Sequence, residues 1–253
     1  MFKLVQLISI ILFVSKDYAL KVGVTTGPHT IIMEEVKAIA KLVELDVEIV
    51  EFNDFILPNA ALASGDIDLN SYQHQPYLDE QVKSRGYKII SLAKTILLPM
   101  GIYSKKHKDL TELKDGATIT IPNDPTNGGR ALLLLKEVNF IDLKTSNNPT
   151  ILDISANPKK VKIIEIEAPQ IPRTMQDVDY AVTNTDWIVL AKINPESALI
   201  KEDPNNCPYT NVIAVRETDK ERTDIKKFIE IYHSDHIKNF INKEFKGAVI
   251  VAW

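Results

Sequence analysis

Short β-rich runs alternate with helical stretches along most of this chain, and that alternation restricts its fold more than any other feature. "LKVGV" (20–24) precedes "TIIMEEVKAIAKLVE" (30–44), in which Ile32, Val36, Ile39 and Val43 recur on one helical face. "VEIVEF" (47–52) leads to "LPNAALASG" (57–65), and "IDLN" (67–70) to a helix opened by Pro76 and closed by Gly86. "YKIISLA" and "LLPMGIYS" read as two strands across 87–104. The pattern resumes with "ATITIP" (117–122), "RALLLLKEV" (130–138), "VKIIEIE" (161–167) and "DYAVTN" (179–184). It closes with "NVIAVRE" (211–217), two helices through 222–245 and the apolar "AVIVAW". Strands alternating with helices predict an α/β fold of mainly parallel sheets with helices on both faces. Two such blocks, joined near 100–106 and near 202–210, would form two lobes with a cleft between them, where ligands gather beyond the carboxyl ends of strands.

The remaining sequence excludes several function classes. A net charge of −4, with no basic stripe, argues against nucleic acid as a partner, because phosphate neutralisation needs clustered Lys and Arg. One cysteine, Cys207, cannot build a disulfide framework or a cysteine metal site. Gly-x-Ser-x-Gly and His-Glu-x-x-His motifs are missing, so no enzyme mechanism is indicated. His233 and His236 could share a helix face, but no carboxylate stands at a spacing that would complete a metal site, and no cofactor is expected. The run Leu4–Val14, behind Lys3, is too short for a comfortable bilayer span but suits the apolar region of an export signal cut after Ala19.

Two segments carry candidate chemistry. In "IPNDPTNGGRALLLL" (121–135) a strand end runs through a glycine-paired turn into a helix with an arginine in its first turn, an arrangement that favours an anion. It is not a Walker loop: Asn123 stands where that loop has its first glycine, Gly129 where it has lysine, and Asp124 would repel a phosphate. Two readings stay open for this stretch alone. Asn127 caps the helix while Arg130 faces water, or Arg130 grips a single carboxylate through its planar guanidinium. In "NSYQHQPYLDEQ" (70–81), Tyr72, His74 and Tyr77 crowd a strand-to-helix turn. They pack as core between lobes, or enclose a polarizable side chain such as a thioether, worth about 0.3–1.5 kcal/mol per sulfur–ring contact.

Taken together, "GPHTIIMEEVK", "VEFNDFILPNAAL", "DLNSYQHQPYLDEQ", "NDPTNGGRALLLL", "YTNVIAVR" and "KEFKGAVI" closely resemble the methionine-binding proteins of ABC importers, the NlpA lipoprotein family. The likeness runs in order through nearly all of residues 20–253. It implies a two-lobed periplasmic-binding-protein fold of type II, each lobe a mixed sheet flanked by helices with the ligand cleft between. The implied division is 1–19 as signal or anchor, 20–104 with 210–253 as lobe I, and 105–209 as lobe II. By resemblance, Arg130 binds the ligand carboxylate with support from Asn127. Asn184 and Asn211 bond the amino-acid head group, and Phe55, Tyr72, His74 and Tyr77 surround the thioether.

This chain departs from the family in places. Phe55 stands where tyrosine is usual and Tyr72 where phenylalanine is usual, so one hydroxyl moves across the pocket. Thr185, Asp186 and Trp187 replace the usual Gly-Asn-Tyr. Asp186 either approaches a ligand ammonium or caps the following helix, and the cap is the favoured reading. No cysteine follows the apolar leader, so a lipid anchor is not expected. The resemblance implies a monomeric, non-enzymatic receptor in the periplasm or cell envelope, delivering methionine to a membrane permease with its ATPase. A receptor for another amino acid or a methionine dipeptide, or a surface interaction protein that lost transport, are the alternatives.

Overall fold

Two five-stranded sheets organise residues 18–253, the part of the chain that the computed structural model describes. The expected leader, apart from its last two residues, lies outside the described residues. Among those described, no helix is long and apolar enough to cross a membrane.

The first sheet runs Val47–Phe52, Leu20–Thr25, Leu69–His74, Asn211–Arg216, Ile89–Lys94. Its first three strands are parallel, because the helices Pro28–Leu42 and Leu57–Ser64 carry the chain back between them. Asn211–Arg216 returns from the far end of the sequence and inserts antiparallel to both neighbours. The second sheet repeats the plan: Lys162–Ile166, Thr118–Pro122 and Tyr180–Asn184 are parallel, and Met100–Tyr103 lies antiparallel between Tyr180–Asn184 and Ile200–Lys201. Both sheets are therefore mixed, as the family resemblance implies.

Each sheet has its own core. Val22, Val24, Ile32, Val36, Val215 and Phe228 are buried in the first, and Ile119, Ile121, Leu132, Leu135 and Val182 in the second. Ile39 packs at the edge of the first core, whereas Val43 lies past the last helical residue, Leu42, and is 43% exposed.

One boundary moves. Met100–Tyr103, expected with the first lobe, hydrogen-bonds into the second sheet, so the chain crosses between Leu97 and Met100 rather than near 104. All four of its residues are buried, and burial alone carries no information about which sheet a strand joins. The return crossing follows Lys201 and ends at Asn211.

The strand directions bring one set of ends together. His74 and Asn184 are the last residues of parallel strands. Asn211 begins an antiparallel strand and pairs directly with His74, so it lies at the same sheet edge.

Candidate functional site

The helix after Thr118–Pro122 spans Pro125–Glu137, starting five residues before the expected 130. Asp124 is its N-cap and accepts from the Asn127 amide at 2.9 Å, so neither reading of Asn127 as the cap nor of Arg130 in the first turn holds. Pro125 supplies the start, since proline is tolerated where the helix has no partner for its N–H. The glycine pair sits inside the helix and serves close packing. A Cβ on Gly128 would stand 2.9 Å from the Pro122 carbonyl oxygen, and one on Gly129 would stand 3.0 Å from that of Pro149.

Arg130 lies in the second turn and does not face water; it is 2% exposed. Its Nε donates to Glu202 Oε1 at 2.7 Å, and Nη2 donates to Glu202 Oε2 at 2.5 Å and to the Leu98 carbonyl at 3.0 Å. The guanidinium carbon sits 4.3 Å from the centre of the Tyr209 ring. Burial by itself disfavours the charge, but the Glu202 carboxylate outweighs it and holds the guanidinium above its usual pKa. The bidentate edge expected to face a ligand is thus taken by Glu202, since a buried cation without a counter-charge is costly. The bonds that the guanidinium makes to oxygen run through Nε and Nη2, and the Cys207 thiol also bonds the group.

The aromatic residues converge. Phe55 lies 6.2 Å from both Tyr72 and Tyr77 between ring centres, and 5.0 Å from Trp187. The Tyr72 and Tyr77 hydroxyls both donate to the Phe55 carbonyl, at 2.9 and 2.8 Å. Burial pushes both phenols above their usual range. Their polar ends are thereby consumed and their ring faces line the cavity. His74 Nδ1 accepts from the Tyr77 amide at 3.1 Å, which leaves its proton on Nε2, directed at Asn127 Oδ1 3.3 Å away. Burial, reinforced by the Arg130 charge, lowers its pKa to about 3 and keeps the ring neutral.

A chain of amides completes the wall. Both oxygens of Asp124 accept from Asn127 Nδ2, at 3.1 and 3.0 Å, which orients Asn127 Oδ1 towards Asn184 Nδ2 at 2.8 Å. Asn211 Nδ2 donates to the Tyr72 carbonyl at 3.3 Å and approaches His29 Nε2 at 3.1 Å.

All eight residues singled out in the sequence, Phe55, Tyr72, His74, Tyr77, Asn127, Arg130, Asn184 and Asn211, line one pocket. Gln73, Leu98 and Asp186 line it as well. Sequence reasoning missed Gln73 and Leu98, and missed Glu202 behind the pocket. Gln73 lies inside the quoted aromatic segment, so its position was a usable signal; Leu98 and Glu202 carry none, because both lie on the crossings between sheets. Asp186 was read as a helix cap, but Asn184 occupies the N-cap of Thr185–Leu190, no side chain caps that helix, and Asp186 is 3% exposed at the pocket. His233 and His236 do not come together: the first ends one helix and bonds the Lys94 carbonyl, the second lies in the next helix and pairs with Glu35. A cluster of three or more residues able to hold a metal is absent among the described residues.

A pocket walled by side chains from two α/β sheets at the ends of their strands defines a two-lobed binding protein for a small polar ligand. Comparison with known proteins agrees. The profile of the family described as NlpA lipoprotein matches residues 20–253, and the chain belongs to that family. It is 47% identical to the D-methionine-binding lipoprotein MetQ of Salmonella typhi over 239 residues, covering 92% of this chain and 88% of that protein. A nutrient binding protein from Burkholderia cenocepacia, solved bound to methionine, superposes with a TM-score of 0.90 at 48% identity, covering 93% of this chain and all of that one. An ABC transporter periplasmic substrate-binding protein from Coxiella burnetii superposes with a TM-score of 0.89 at 46% identity, covering 92% and 100%.

Proposed function

We propose that this chain is the methionine receptor of an ABC importer, capturing the amino acid outside the cytoplasm and passing it to a membrane permease. The observation that carries this reading is the convergence of the aromatic wall, the amide chain and the Arg130 guanidinium on one pocket. The ligand carboxylate meets the Arg130 guanidinium, and the thioether packs against Phe55, Tyr72 and Tyr77. His74, held neutral, presents an apolar ring edge without a competing charge. Asn127, Asn184 and Asn211 orient the head group. Lobe I comprises 20–97 with 211–253 and lobe II the residues between, and ligand bound to both biases the cleft towards its closed form. The receptor acts as a monomer, without cofactor or catalysis, in the periplasm or cell envelope.

Calorimetric titration of the purified protein with both enantiomers of methionine, norleucine, leucine and methionine dipeptides tests the reading. Methionine should bind at least as tightly as any other, with norleucine weaker by about 1–3 kcal/mol. Saturable heat from another ligand and none from methionine would refute the ligand assignment. Mass spectrometry of small molecules released from the freshly purified protein gives an independent check.

A further inference from the structure

Asn184 and Asp186 each carry a buried oxygen, Oδ1 in both cases, that accepts no hydrogen bond among the described residues. The two residues are 4% and 3% exposed, and both line the pocket. Buried acceptors without donors are uncommon and costly, and an unpaired carboxylate is the most costly. Neither atom is a misplaced amide. Asp124 can only accept, so Asn127 must turn its nitrogen towards Asp124 and its oxygen towards Asn184. Asn184 consequently donates to Asn127 and directs its own oxygen elsewhere.

His29 Nε2 lies 3.3 Å from Asp186 Oδ1. That nitrogen does not donate. Asn211 reaches the Tyr72 carbonyl and His29 Nε2 with the same atom, and a carbonyl accepts only, so the atom is Nδ2 and it donates to His29. His29 Nε2 therefore turns a lone pair, not a proton, towards Asp186. Arg130 cannot compensate this carboxylate either, because Glu202 already pairs with it. One side of the pocket is thus a set of acceptors with an uncompensated negative charge, and the group that completes it is a cation with several N–H donors.

We propose that Asp186, together with Asn184 Oδ1, is the receptor for the ligand's α-ammonium group, and that it restricts this pocket to ligands with a free amine. The inference rests on the methionine reading and adds the residue that recognises the second half of the zwitterion.

Calorimetry on the full chain separates the outcomes with three probes: L-methionine, N-acetyl-L-methionine and 4-(methylthio)butanoate, which is methionine without its amine. The wild-type protein should prefer methionine over the amine-free acid by roughly 30-fold or more. In Asp186→Asn, methionine affinity should fall by a similar factor while affinity for the amine-free acid stays level or rises. Equal binding of methionine and the amine-free acid by the wild-type protein would overturn the proposal, and this comparison needs no variant to fold. Equal losses for both ligands in Asp186→Asn would also overturn it, assigning Asp186 a purely structural role. Failure of methionine to bind the wild-type protein at all is a distinct result that overturns the underlying reading and the ammonium assignment with it.

Discussion

Replacing Glu202 with Gln removes the counter-charge of Arg130 while keeping the shape of the side chain. The two side chains are 12% and 1% exposed, so the pair is buried and escapes the solvent screening that makes surface ion pairs nearly worthless. Glu202 accepts four hydrogen bonds: from Arg130 Nε at 2.7 Å, from Arg130 Nη2 at 2.5 Å, from the Met100 amide at 2.7 Å and, more weakly, from the Cys207 thiol at 4.0 Å. Through them it joins the second crossing between sheets, where it resides, to the first crossing and to the helix Pro125–Glu137. A glutamine amide must turn its NH₂ group towards one of these donors, leaving two donors facing each other beside a buried cation. Breaking a buried pair from one side costs about 3–5 kcal/mol. At about 2–4 °C per kcal/mol for a chain of this size, the ligand-free melting temperature should fall by about 6–20 °C. Thermal and urea unfolding of the ligand-free protein would measure the loss. Arg130→Met with Glu202→Leu, which removes both charges, should recover much of it. A Glu202→Gln protein that melts within about 2 °C of wild type would refute the assignment of this pair as a structural tie.

Other predictions concern stability and packing. His74 has a folded pKa of about 3 against 6.5 for the free side chain, so the unfolded chain binds more protons between these values. Its contribution is fully present above pH 6.5 and is lost as pH falls, by about 1.4 kcal/mol per unit, or about 2 kcal/mol by pH 5. Urea unfolding of wild type and His74→Asn at pH 7 and pH 5 should show that slope only in the wild type. Tyr72→Phe should cost only about 1 kcal/mol in chemical denaturation, because the Phe55 carbonyl keeps its second donor, Tyr77. Gly128→Ala should destabilise by about 1–3 kcal/mol despite alanine's better helix propensity, since its Cβ would meet the Pro122 carbonyl, which is backbone and cannot rotate away. Unchanged urea midpoints in that variant would contradict the close-packing account of the glycine pair.

Much of this protein was legible in one dimension. The period of apolar residues placed the principal helices and strands, with Val47–Phe52 recovered to the residue, because local burial patterns depend on local periodicity. The eight pocket residues were legible through short motifs resembling a known family. Their residue types alone left a helix cap and a carboxylate site equally open. What sequence could not carry was pairing over long separation. Nothing local tells that Met100–Tyr103 joins the second sheet, or that Glu202 meets Arg130 across 72 positions. Nor does spacing reveal that Asp124, and not Asn127, caps the helix, since both are good capping types within three residues of each other.

Sequence by itself determined the α/β alternation, the absence of recognisable nucleophile-elbow or zinc-motif chemistry, and the set of side chains available to the pocket. Tertiary structure decided how those side chains are spent. Arg130 is paired with Glu202, the tyrosine hydroxyls are used up on a single carbonyl, and Asp186 Oδ1 is left without a donor. The physical reason is that hydrogen-bond satisfaction is a count over all neighbours in space. A residue's type fixes what it can donate or accept, and only the folded neighbourhood decides which of those capacities remain for a ligand.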